Sequence, residues 1–225
     1  MVAMFKPVAG WMHFPTLDGL QNVNGVYTIA WRLTDQSGDL WTSRVNLFKE
    51  SNKDALAGAG RTLLMALPVL FQANGWAASE TASTLALSSA DTQLVPAKPY
   101  PRIVEYVAGK IGIGWVPSLL RKNPHKPLHT CGGQAEREAE LLRANYQAAA
   151  IGGGIRRILV FDDIATRGDT LSAIAGAIKL ATPAVEVVGI ALGKSERVAY
   201  AANCGHQISN AHVDPRWENS WTSSG

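Results

Sequence analysis

The chain has 225 residues, with 21 Lys or Arg against 18 Asp or Glu, a net charge of +3 with histidine neutral. Hydrophobic residues make up 47% and charged residues 17%, below the usual charged share of about 25%, which excludes intrinsic disorder and allows a packed core of one domain, with or without an appendage. No Lys/Arg-rich run gives an electrostatic footprint for duplex nucleic acid, so small or anionic ligands are the open class. Cys131 and Cys204 cannot build a disulfide framework or a four-cysteine zinc site unaided; they fit a reducing interior, and a cytoplasmic location is expected. The best apolar stretch, 62–71, carries Pro68 and is short for a span, so neither secretion nor a membrane anchor is expected.

In chain order, 26–49 (VYTIAWRLTDQSGDLWTSRVNLFK) reads as two β-rich runs around the turn residues Asp35-Gln36-Ser37-Gly38, a hairpin. Ser51 or Asn52 caps a helix running to about Asn74-Gly75, in which Leu56, Leu63, Leu64, Leu67 and Leu70 lie close to helical spacing. A short strand over 85–88, a Pro-rich turn and a helix over 101–110 follow. Residues 117–133, PSLLRKNPHKPLHTCGG, hold three prolines and no apolar period, and a long surface loop is expected there. A charged, Ala-rich helix over 134–150 ends at Gly152-Gly153-Gly154. Next come a continuous apolar strand over 158–161, Asp162-Asp163, a Gly-containing turn, a helix over 170–180 and a second buried strand over 185–192. Apolar strands alternating with helices predict a parallel α/β sheet. The last dozen residues read as a loose polar tail, despite Trp217 and Trp221.

The segment after strand 158–161 carries the chemistry. In a parallel sheet it lies at the carboxyl edge, where α/β folds bind ligands. Gly168 permits close backbone approach, and the free amides from Thr166 to Thr170 and the helix dipole favour an anion. The hydroxyls of Thr166 and Thr170 add donors. Without a Walker lysine, a monoester phosphate suits this cradle better than the end of a nucleoside triphosphate. Asp162 and Asp163 would repel that phosphate unless they accept from a sugar's vicinal hydroxyls beside a divalent cation. A ligand with a monoester phosphate, a diol and a metal-binding pyrophosphate meets all three demands: 5-phosphoribosyl 1-pyrophosphate (PRPP).

ILVFDDIATRGDTL resembles the signature of the type I phosphoribosyltransferases, an acidic pair followed by a Thr-x-Gly-x-Thr loop. SRVNLFKESNKDALAGAGRTLLMAL and WVPSLLRKNPHKPLHTCGGQ through LLRANYQAA are similar to the lysine-ended hairpin strand with its helix, and to the basic loop, of the ComF-type (competence protein F-like) branch. That branch's Cys-rich zinc ribbon has no counterpart in this sequence, and ALSSADTQLVPAKPY replaces its Pro-Val-Pro and Arg-Gly-x-Asn elements. The resemblance implies a doubly wound, mostly parallel α/β sheet: an amino-terminal extension and antiparallel β-hairpin hood over 1–50, a phosphoribosyltransferase-like core over 51–213 and a tail over 214–225. It implies Mg²⁺-dependent transfer of the phosphoribosyl group of PRPP to a nitrogenous base with release of pyrophosphate, so PRPP and a nucleobase are the expected partners, with no membrane and no nucleic acid; a homodimer is left open. Asp162, Asp163, Ile164, Ala165, Thr166, Arg167, Gly168, Asp169 and Thr170 would bind PRPP. Ser88, Ser89, Ala90 and Asp91 fall where the pyrophosphate loop belongs, and Arg121 and Lys122 lie where the family has a mobile catalytic flap. No direct side-chain ligation of the metal is expected. The family's 6-oxopurine enzymes carry an acid at the Thr166 position, which argues against hypoxanthine or guanine as acceptor.

Competing explanations are blander. The acidic pair can be a solvated turn with a capping aspartate, the Ser88–Asp91 segment an ordinary strand exit, and the basic run a solvated face. His125, His129, Cys131, Cys204, His206 and His212 match no standard metal spacing. GIALGKS, 189–195, falls one residue short of a Walker loop and reads as a strand exit with Lys194 at the pocket rim. The rival function is a non-catalytic PRPP- or nucleotide-binding protein serving regulation or DNA uptake.

Overall fold

The computed structural model describes residues 4–222. Its first strands, β1 (Lys6–Val8) and β2 (Trp11–Phe14), form an antiparallel ribbon that continues into β3 (Val26–Leu33). Seven of the eight β3 residues are buried, the mark of a strand covered on both faces. The expected turn follows, but the chain then enters a helix, α1 (Leu40–Lys49), in place of a hairpin's second strand. Local chemistry accounts for this: the Asp39 carboxylate accepts from the Thr42 amide at 2.7 Å as an N-cap, and Trp41, Arg44, Val45 and Phe48 recur at helical spacing on one buried face.

Helix α2 (Lys53–Asn74) has the expected ends: the Asn52 side chain accepts from the amides of Asp54 and Ala55, and Gly75 turns left-handed at φ 63°. Among the described residues it is the one helix long and apolar enough to cross a membrane, and half of its apolar window is buried inside the fold. Strand β4 (Thr81–Leu85) lies upstream of the expected 85–88 strand. Its TASTL sequence is wholly buried, and two of its hydroxyls find partners, Ser83 Oγ donating to the Gly114 carbonyl and Thr81 Oγ1 to that of Ala77. Then come α3 (Pro99–Ile111), β5 (Gly114–Trp115), β6 (Leu120–Arg121), α4 (Gln134–Ala144), β7 (Gln147–Ala148), β8 (Arg157–Ala165), α5 (Asp169–Ala181), β9 (Glu186–Glu196), α6 (Val198–Asn203) and α7 (Pro215–Thr222). Helix α4 stops well before residue 150, at Asn145 in the left-handed region (φ 47°).

The main sheet has seven strands in the order β1-β2-β3-β9-β8-β4-β5, parallel from β3 to β5. Helices α1, α2, α3 and α7 pack with one another, whereas α4 packs with α5, an arrangement compatible with double winding. The amino-terminal residues are therefore not a separate hood. β1 and β2 widen one edge of the sheet, and β3 is an inner strand joined to β9 from Val26–Gly189 to Leu33–Glu196.

The carboxyl end is a packed helix, not a loose tail. Trp217 and Trp221, one turn apart on α7, are 2% and 7% exposed. A Cβ on Gly58 would lie 2.7 Å from Trp221 Cδ1, so only glycine on α2 admits that ring. Arg61 of α2 donates to the carbonyls of Ser220 and Trp221 at 2.7 and 3.0 Å, satisfying the last turn of α7. Residues 223–225 of the expected tail lie outside the described residues.

Candidate functional site

Connections leave β4 and β8, which are neighbours, in opposite directions: β4 passes through α3 to β5, and β8 through α5 to β9. The crevice beyond the carboxyl ends of two such strands is where open α/β sheets take ligands. The Ser88–Asp91 segment follows β4, and Asp162, Asp163 and the glycine loop belong to the end of β8.

β8 runs past the expected end at Phe161, through both aspartates and Ile164 to Ala165. The pair is partly self-capped, Asp162 Oδ1 accepting from the Asp163 amide at 2.9 Å and Asp163 Oδ1 from that of Ile164 at 2.8 Å. Burial, and then the Asp163 carboxyl, with which it shares a hydrogen bond, push the Asp162 carboxyl well above the usual range. A crowded pair of this kind is short of positive charge. Lys49, at the end of α1, brings one ammonium to 3.8 Å from Asp163 Oδ2. Among the described residues no cluster of three or more His, Cys, Asp or Glu side chains could hold a metal ion. Two tyrosines flank Asp162. The Tyr100 hydroxyl donates to its backbone carbonyl at 2.8 Å, and the Tyr146 phenol is pushed up by burial and by the Asp162 charge.

The glycine loop has the expected backbone and an unexpected cover. Gly168 is left-handed at φ 88° and opens α5 with no side chain capping the first amides, leaving them to an anion. Thr166 is exposed, and Asp169 and Thr170 are half-buried. Arg167 donates to Gln134 Oε1 at 3.1 Å and lies 3.4 Å from Asp169 Oδ2. The segment between β2 and β3 lies against the loop. The Gly19 amide donates to the Arg167 carbonyl at 2.9 Å, Ser172 Oγ donates to the Gly19 carbonyl at 2.6 Å, and the Gln21 amide donates to Ser172 Oγ at 2.6 Å. A Cβ on Gly168 would sit 2.8 Å from Leu20 Cδ1 and 3.6 Å from Leu17 Cδ1. Glycine is thus required there by φ and by this strap, and the space on its Cβ side is not the phosphate's. Nothing in the 15–25 sequence signals the strap, because its contacts lie about 150 residues away.

The Ser88–Asp91 segment is a tight turn, the Asp91 amide donating to the Ser88 carbonyl at 3.1 Å and Ser88 Oγ to Asp91 Oδ2 at 2.6 Å, with Lys98 on the same carboxylate. Those contacts draw the Asp91 carboxyl below its ordinary range against the opposing effect of burial. Small residues and an exposed Ala90 leave the turn open to close approach. The 117–133 stretch, expected as a long surface loop, is tied down instead. Leu119 and Leu120 are buried, β6 pairs with β7, and the Lys122 amide donates to the Thr92 carbonyl at 2.9 Å. Arg121, the last residue of β6, is exposed, while Lys122 just beyond it is 5% exposed and donates Nζ to the Ser89 carbonyl at 2.9 Å. Lys122 therefore holds the turn from beneath and is not a free cation beside Arg121.

On the β9 side of the loop, Leu17, Asp18, Thr166, Arg167, Lys194, Ser195, Glu196 and Tyr200 line a cavity of about 180 Å³. Lys194 is buried in its wall, 3.6 Å from Glu196 Oε2 and donating to the Ser195 carbonyl; burial draws its ammonium below the ordinary value. Lys49, Tyr100, Tyr146 and the strap are the site residues that motif reasoning did not assign.

No protein-family model matches the chain, and a search of the curated proteins found no match. Fold and site together define an α/β protein with a mostly parallel seven-stranded sheet, a carboxyl pair, an uncapped helix amino terminus and a tight Ser-rich turn meeting at one crevice.

Proposed function

We propose that the protein is a type I phosphoribosyltransferase of ComF-like kind, transferring the phosphoribosyl group of PRPP to a nitrogenous base with Mg²⁺ and releasing pyrophosphate. The observation that supports this reading is the placing of Asp162 and Asp163, the Gly168 loop and the Ser88–Asp91 turn at the carboxyl ends of the neighbouring parallel strands β8 and β4. The amides at the start of α5 take the 5′-phosphate. The Asp162 and Asp163 carboxyls accept from the ribose hydroxyls, and Lys49 moderates their repulsion. The Ser88–Asp91 turn offers backbone donors to the pyrophosphate, braced by Lys122 behind Ser89. Mg²⁺ bound with the pyrophosphate supplies charge for the departing anion. The protein otherwise holds geometry around an anomeric carbon that becomes cation-like.

A non-catalytic PRPP- or nucleotide-binding role is the second reading, favoured by one observation: the segment expected to act as a mobile flap is buried and paired at Leu119, Leu120 and Lys122. Thermal unfolding with Mg²⁺ and PRPP tests the shared premise. At a hundredfold excess over Kd, binding contributes about 2.7 kcal/mol, and each kcal/mol moves the midpoint by about 2–4 °C for a chain of this size. An upward shift of several degrees is expected, and an equal shift with ATP would refute the phosphoribosyl assignment. Pyrophosphate release in a screen of nucleobases then separates the readings: release supports the transferase, while tight binding with no release from any base supports the binding protein.

A further inference from the structure

Helix α1 ends on Lys49, and its last two residues reach the acidic pair by different routes. Phe48 is buried with its ring edge-on to Tyr100, the centroids 4.8 Å apart, and the Tyr100 hydroxyl donates to the Asp162 carbonyl at 2.8 Å. Lys49 extends its ammonium to 3.8 Å from Asp163 Oδ2. Beyond it the chain turns at once: the amides of Ser51 and Asn52 donate to the carbonyls of Phe48 and Leu47 at 2.9 and 3.0 Å, and Ser51 is left-handed at φ 60°, where glycine is the ordinary choice. The backbone that presents Lys49 is thus fixed on both sides, while the side chain itself is half-exposed.

The fold has little use for this ammonium. At 3.8 Å the contact is an ion pair without a hydrogen bond, and half-exposed pairs of this kind contribute little to stability. Other cations of the crevice are committed: Lys122 to the Ser89 and Asn123 carbonyls, Lys98 to Asp91, Arg167 to Gln134 and Asp169, and Lys194 to Glu196. In the reading above, the α5 amides take the 5′-phosphate and the carboxyls take ribose hydroxyls, so the second anion of PRPP still needs a cation. Once a ribose hydroxyl donates to Asp163, the ammonium of Lys49 can turn to a negative group on the same sugar, and its flexible four-carbon stem lets it do so without movement of α1. Resting on the phosphoribosyl reading, we infer that Lys49 is the cation that meets the pyrophosphate of PRPP: its ammonium donates to a pyrophosphate oxygen at the anomeric end of the sugar, the part that the family resemblance gives to Arg121 and Lys122.

The test is a titration of the full chain, of Lys49→Met and of Arg121→Ala with PRPP and with ribose 5-phosphate, both in Mg²⁺, alongside the ligand-free unfolding midpoint of each protein. Lys49→Met should bind PRPP about tenfold or more weakly, the effect of losing one charged hydrogen bond, and ribose 5-phosphate within about twofold of the unmodified chain. Arg121→Ala should leave both affinities level, and the three ligand-free midpoints should lie within a few degrees of one another. Equal weakening of both ligands in Lys49→Met would overturn the inference, by showing that the ammonium serves the acidic pair or the 5′-phosphate. Unchanged PRPP affinity in Lys49→Met, or a selective loss of PRPP in Arg121→Ala instead, would overturn it as well. So would a marked fall in the ligand-free midpoint of Lys49→Met, which would assign the ammonium to the fold. Each of these leaves the phosphoribosyl reading intact, because the unmodified chain still binds PRPP; its failure to do so would remove both.

Discussion

Folding presses the Asp162 carboxyl into a half-buried position beside Asp163, and that pressure has a sign. In the unfolded chain the group loses its proton near its ordinary value of 3.8, whereas in the folded chain it keeps the proton to a higher pH. The folded state binds more protons over that interval, so stability falls as pH rises from about 4 towards the folded value. Asp162→Asn should therefore raise the unfolding midpoint at pH 8, change it little at pH 4, and weaken binding of Mg²⁺ with PRPP at both. A midpoint below that of the unmodified protein at pH 8 would show that the ionised carboxylate is held in place by Lys49 instead. The same scale separates Arg121 from Lys122. Adjacent in sequence and alike in charge, they become an exposed side chain at the end of β6 and a brace for Ser89. Composition cannot see this, because it depends on Lys122 meeting the Ser89 and Thr92 carbonyls about 30 residues back.

Among the elements, α7 shows how a polar stretch becomes structural. Trp221 reaches an aromatic and cationic cluster in which Trp41 lies 5.4 Å from it and the Arg44 guanidinium sits 4.8 Å over Trp41, while Trp217 packs 5.7 Å from Trp11. Trp221→Ala should destabilise the protein by about 3–5 kcal/mol, the usual cost of emptying a buried aromatic site, as measured by chemical denaturation. A loss below about 1 kcal/mol would mean that α7 is only loosely seated. The elements with strong internal signals were legible from the sequence: α2 through Asn52, its leucine spacing and Gly75, and β8, α5 and β9 through their apolar runs. The glycine loop follows β8 as the apolar run implied, although the strand continues past Phe161 through the acidic pair to Ala165. The illegible parts were those whose partners lie far along the chain. β4 hides buried hydroxyls behind a polar sequence, α1 depends on one cap at Asp39, and the strap depends on Ser172 and Arg167.

For the molecule as a whole, the pairing of β3 with β9 joins residues 26–33 to residues 189–196. The two-sided burial of β3 waits on that distant partner, whereas its other edge can pair at once with β2. Synthesis from the amino end at about 5–20 residues per second leaves roughly ten seconds or more between the emergence of β3 and that of β9. During that interval an apolar strand with one edge unpaired is exposed to the cell, a condition that favours association between chains. A chain ended at Leu180, lacking β9 but keeping every residue of the acidic pair and the glycine loop, should accumulate as aggregate or bind hydrophobic dyes without cooperative unfolding. A soluble truncated chain with a sharp transition would show that the rest of the sheet folds without waiting. The glycine loop is bound by the same clock. Its strap is made before residue 26 and its own residues after 160, so this corner of the molecule can assemble only after Ser172 has been made, and every copy depends on its first strands being kept from one another until then.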